Sequence, residues 1–114
     1  MSTVDHPASA NPDRYFLIFL TTVPGKTPSP EVLANHAAHL SLLDRCGVLV
    51  LAGPVPERGG GMIALRVASM ADAKAIADDE PFVRGGYQTY ELGTWVMSNL
   101  KNRYRPDLQQ ERQK

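Results

Sequence analysis

Two histidines three residues apart, His36 and His39, are the side chains of this sequence best suited to acid and base chemistry. Imidazole changes charge near neutral pH, and an apolar setting disfavours its cation. Leu33, His36, Leu40 and Leu43 recur at spacings of three and four, so a single helical arc carries them, with His39 at its edge beside His36. Both rings are therefore expected on the buried side of one helix. Taken singly, a half-buried helical histidine is equally well explained by a hydrogen bond to a carbonyl. The pair gives only two ligands, the chain has a single cysteine, and spacing names no third ligand, so no metal site is predicted.

The second candidate is Asp78-Asp79-Glu80-Pro81-Phe82, three carboxylates gathered at the end of a helix. There they meet the negative end of the macrodipole and one another, and both effects disfavour the ionised form. Pro81 forces the chain to turn, after which Phe82 serves as an apolar anchor. Carboxylates at a helix end are also commonly just solvated. Three further features are weaker. Gly59-Gly60-Gly61 lacks the following Lys-Ser/Thr and helix N-terminus of a phosphate loop and reads as a hairpin hinge. Arg58 and Arg84 flank glycines as solvated turn residues or weak anion contacts, and Cys46 reads as a packing residue rather than a nucleophile.

These groups need a scaffold to bring them together. Arg14 to Thr21 is a strand rich in aromatic and aliphatic residues, ended by a Pro- and Gly-rich loop. Ser29 before Pro30 announces a helix that runs to Cys46 and stops at Gly47. Val48 to Ala52 and Met62 to Val67 read as a hairpin joined by the flexible segment Gly53 to Gly61. Ser69 with Asp72 starts a second helix ending before Pro81, and Tyr87 to Met97 is the last strand. Residues 1–13 read as a disordered lead, 14–98 as one domain and 99–114 as a polar tail.

The order βαββαβ predicts an α+β fold of the split βαβ kind, a four-stranded antiparallel sheet with two helices on one face. Tyr15 to Leu20, Val48 to Ala52 and Met62 to Leu65 are apolar at consecutive positions, so both sheet faces seek burial. Two helices cover one, and a second copy of the chain is the expected cover of the other, giving a homodimer through the open sheet face. Twelve basic and twelve acidic side chains leave no net field that would mark a nucleic-acid or membrane binder. No apolar stretch approaches the roughly 20 residues of a membrane helix, no secretory leader is evident, and the lone thiol fits a cytoplasmic setting.

Assembled, these residues resemble the YciI-like (YCII-related) family from about Tyr15 to Val96. The carriers are His39-Leu40 with Leu43 and Gly47, then Leu51-Ala52-Gly53-Pro54, Ser69 and its Ala-rich helix, Glu80-Pro81-Phe82 and Gly86. The resemblance implies a ferredoxin-like fold paired as a dimeric α+β barrel. It implies a catalytic site in which a first-helix histidine, here His39, meets an acid just before the proline, here Glu80 where the family has Asp, with Asp79 as the alternative partner. His36 stands where the family often has Arg, and Gly53, Pro54 and Phe82 complete a ligand-binding set. Two readings follow. In one the chain is a small-molecule enzyme that needs no cofactor and uses the His-carboxylate pair for isomerisation, elimination or hydrolysis. In the other the same cleft is a non-catalytic binding or accessory module for a small-molecule ligand.

Overall fold

The aromatic and aliphatic run that opens the domain forms strand β1, Arg14–Thr22, and lies in the interior of the sheet. The computed structural model describes residues 12–107. Most of the lead over 1–13 and the end of the tail therefore lie outside the described residues. After β1 come α1 (Pro30–Arg45), β2 (Leu49–Val55), β3 (Gly60–Leu65), α2 (Met70–Asp79), the short α3 (Pro81–Arg84) and β4 (Gln88–Val96). The strands lie in the order β2-β3-β1-β4, and every neighbouring pair is antiparallel. This is the ferredoxin-like arrangement that the βαββαβ order predicts.

Local chemistry sets the element ends. Ser29 Oγ accepts from the Val32 amide at 3.2 Å with Pro30 in the first turn, and Ser69 Oγ accepts from the Asp72 amide at 3.2 Å. Each hydroxyl takes up one of the amides that a helix start leaves free. Gly47, past the end of α1, has φ +77°, a left-handed conformation that favours glycine.

The boundaries depart from the sequence reading at several places, among them β3, which begins at Gly60 and ends at Leu65, so that of the glycine run read as a hinge Gly60 and Gly61 are paired in the sheet and Gly59 alone turns, at φ +69°. β2 continues through Gly53, Pro54 and Val55, which pair with Met62, Gly61 and Gly60. Gly and Pro are tolerated there because β2 is an edge strand, whose outer side needs no ladder donor. A further departure is α3, a single turn with no period long enough to read. It exists because the Glu80 side chain caps it and Pro81 pre-sets its first residue.

Phe16, Ile18, Ile63 and Leu65 on the inner sheet face pack with Leu43 of α1 and Ala73, Ile76 and Ala77 of α2. Leu33 lies outside the predicted arc: it is 49% exposed, and the buried line of α1 runs from His36 to Leu43. On the outer face Tyr15 and Leu17 are nearly buried, Tyr15 beside Trp95 at 6.4 Å and beneath the Arg66 guanidinium at 5.3 Å. Burial on both faces holds for β1 but not for β2, where Leu51 to Pro54 are exposed at the sheet edge. Among the described residues, no helix is long and apolar enough to cross a membrane.

Candidate functional site

Glu80 is the one charged residue in the buried set, and its side chain has 0% exposure. It stands at the joint between α2 and α3, ending the first and capping the second. Oε2 accepts from the Phe82 amide at 2.6 Å, and Oε1 accepts from His36 Nδ1 at 2.5 Å. His39 Nδ1 stands 3.6 Å from the same Oε1, beyond hydrogen-bond reach but close enough to feel its charge. That nitrogen is buried and makes no hydrogen bond. One carboxylate oxygen is thus shared between two imidazoles, while the other is fixed by backbone.

The electrostatics follow from that geometry. Burial alone would push the Glu80 carboxyl up. The hydrogen bonds from His36 and the Phe82 amide, with the close approach of the His39 imidazole and the charge His36 can carry, outweigh burial and hold it at about 2, against an ordinary 4.5. Glu80 is therefore an anion throughout the neutral range. Asp78 is also held below its ordinary value, first by the Tyr90 hydroxyl at 2.6 Å and then by Lys74 at 2.9 Å. The helix-end argument predicted the opposite direction for this acidic cluster. It fails for Asp78 and Glu80 because both face donors, and for Glu80 one donor is the first free amide of the next helix.

An ionised carboxylate only accepts, so Nδ1 of His36 carries a proton, and in the neutral form of the ring the lone pair is then at Nε2. The ring is stacked on Phe82, with centroids 4.2 Å apart and planes 23° from parallel. His36 and Phe82 together form one wall of a cavity of about 340 Å³ between the helices and the sheet. Ala52, Gly53, Pro54, Ile63 and Gln88 also line it. A smaller hollow of about 190 Å³, lined by Arg58 among others, shares Leu20, Gly61 and Met62 with it.

The predicted residues thus divide. His36, Gly53, Pro54 and Phe82 line the cavity, and Glu80 lies behind His36. His39 lies beside Glu80, partly buried, but does not border the cavity. Asp79 is exposed at the end of α2, outside the cluster. Gln88 was not anticipated; its signal is the alternation Gln88, Tyr90, Leu92, which puts it on the side of β4 that packs against the core. Among the described residues no group of three or more His, Cys, Asp or Glu is arranged to hold a metal ion. What the arrangement offers is an oriented imidazole at an apolar hollow, able to accept or return a proton at Nε2.

No curated protein matches the chain. Among solved structures it is similar to the 5-chloro-2-hydroxyhydroquinone dehydrochlorinase TftG from Burkholderia phenoliruptrix AC1100, in complex with 2,5-dihydroxybenzoquinone. Identity is 21%, the TM-score is 0.57, and the likeness covers 71% of this chain and 92% of that one. At this identity the likeness speaks to the fold alone, the ferredoxin-like βαββαβ unit. The YCII-related domain model matches residues 14–96, and with most of its length inside that match the chain belongs to the YCII-related domain family.

Proposed function

We propose that the chain is a small-molecule enzyme in which His36 is the general acid and base, acting through Nε2 on a compact, largely apolar ring held in the 340 Å³ cavity. Glu80 orients the ring and stabilises its cation, and His39 stands 3.6 Å from the same carboxylate oxygen. The reading rests above all on the 2.5 Å contact from His36 Nδ1 to an ionised, buried Glu80, made by a ring that also borders the cavity. His36 thereby takes the role that the family pattern assigns to His39. The chemistry within reach is removal of a proton from the substrate and its return elsewhere, or its loss together with a leaving group: isomerisation or elimination. A solved chain of this fold that is a dehydrochlorinase with a dihydroxybenzoquinone bound supports the elimination branch. The reading includes pairing through the outer sheet face, where Trp95 and Leu51 are 40% and 58% exposed.

The test is turnover of a panel of chlorinated hydroquinones and hydroxyhydroquinones, followed by chloride release and ultraviolet absorbance. The expected result is activity in the parent chain and a loss of about 10²- to 10⁴-fold in His36→Gln with the circular dichroism spectrum unchanged. His39→Gln loses less. A His36→Gln protein as active as the parent refutes the assignment.

A further inference from the structure

The cavity presents two polar side chains, His36 and Gln88, in an otherwise apolar lining of aliphatic, aromatic, proline and glycine residues. Gln88 opens β4 opposite Thr22, the last residue of β1. Its Oε1 is buried and makes no hydrogen bond, although the residue itself is only half-buried. A buried amide oxygen left unpaired costs about 1–3 kcal/mol relative to a paired one, so its position calls for a donor. The same side chain borders the cavity, so by turning its carboxamide it can take a partner from a ligand there.

We propose that Gln88 is a specificity-determining residue whose carboxamide hydrogen-bonds a hydroxyl carried by the ring of the substrate. This rests on reading the cavity as the ligand site, and it defines the substrate class more closely. The ring is phenolic or enolic, with an O–H directed to Gln88 while another position meets His36. The stacked His36 and Phe82 rings give it a flat aromatic wall. Because a carboxamide both donates and accepts, a hydroxyl satisfies it in either orientation, whereas a methyl in the same place leaves it unpaired.

The experiment compares two probes of nearly equal shape, p-cresol and p-xylene, titrated into the ¹⁵N-labelled full chain and its Gln88→Met variant while amide shifts are followed. Replacing the carboxamide by an apolar group removes one neutral hydrogen bond. p-Cresol binding is therefore expected to weaken about 2- to 12-fold in Gln88→Met, while p-xylene binding stays the same or tightens. In the parent chain the Gln88 side-chain amide signals shift with p-cresol and not with p-xylene. Gln88→Leu serves as the second variant if the methionine protein gives a poorly dispersed spectrum. Equal changes for both probes, no change for either, or no saturable shift at the cavity with either probe overturns the proposal. Because nothing here depends on turnover, a negative outcome for Gln88 leaves the His36 assignment standing, and an inactive enzyme that still discriminates the probes leaves Gln88 in place.

Discussion

Replacing Glu80 by Gln keeps the shape of the side chain and removes its charge, which separates the two things this residue does. Its carboxyl is held at about 2 in the folded chain, against 4.5 ordinarily. At about 1.4 kcal/mol per pH unit the difference amounts to on the order of 3 kcal/mol of folding stability. Because the folded value is the lower one, the contribution is fully present above pH 4.5 and is lost as the pH falls from there to about 2. Urea unfolding of the parent and of Glu80→Gln across that window reads it directly. With a typical urea slope, the midpoint of the parent is expected to fall by roughly 1 to 3 M more than that of the variant. Parallel loss of stability in the two proteins would refute the idea that the cluster around Glu80 holds the carboxylate ionised. The same variant also tests orientation. The oxygen of a glutamine can still take the Phe82 amide, but its NH₂ then faces His36 Nδ1 and drives the ring proton to Nε2. ¹⁵N spectra of the imidazole should show that exchange of tautomers at neutral pH, and activity should drop with it, as it does when the orienting carboxylate of a serine-protease triad is made an amide.

Three other outcomes are expected. Leu43→Ala removes a side chain with 0% exposure at the centre of the α1 contact and should cost about 2–5 kcal/mol by denaturant unfolding. Gly60→Ala puts a Cβ into the carbonyl oxygen of Leu20 across the β1–β3 ladder, and with neither backbone free to yield it should lose at least about 1–3 kcal/mol, seen as a lowered thermal midpoint. If the outer sheet face pairs two copies, Leu51→Lys, at a position 58% exposed, should move the mass measured by light scattering toward that of one chain without altering the fold. A mass unchanged by the lysine argues that pairing, where present, uses another surface.

The elements with local chemical signals were legible in the sequence. Ser29-Pro30, Ser69 and Gly47 mark helix ends because a hydroxyl, a fixed φ and a missing Cβ act within a few residues of themselves. The sequence pattern makes β2 too short because Gly53 and Pro54 break strands everywhere except at an edge, and being at an edge is a property of the whole sheet. The residue types of the site were legible in the same sense: imidazoles on a buried helical arc, and an acid before a proline. Which imidazole lies against Glu80 was not, since His36 and His39 share a face and only the rotation of α1 over α3 separates 2.5 Å from 3.6 Å. The direction of the Glu80 shift was hidden for a related reason. Sequence shows a carboxylate at the end of one helix, and only the turn at Pro81 reveals that it begins the next.

Pro54 has a further consequence. It sits in the rim strand of the sheet, paired with Gly61 on its inner side, and it carries no amide hydrogen to offer outward. A stray strand seeking to extend the sheet along this rim would find its hydrogen-bond register interrupted partway, so growth by strand addition is discouraged at the border where it would be easiest. The apolar hollow can therefore stay open beside β2 without leaving an adhesive seam, and crowded chains that collide there are turned away rather than stitched together.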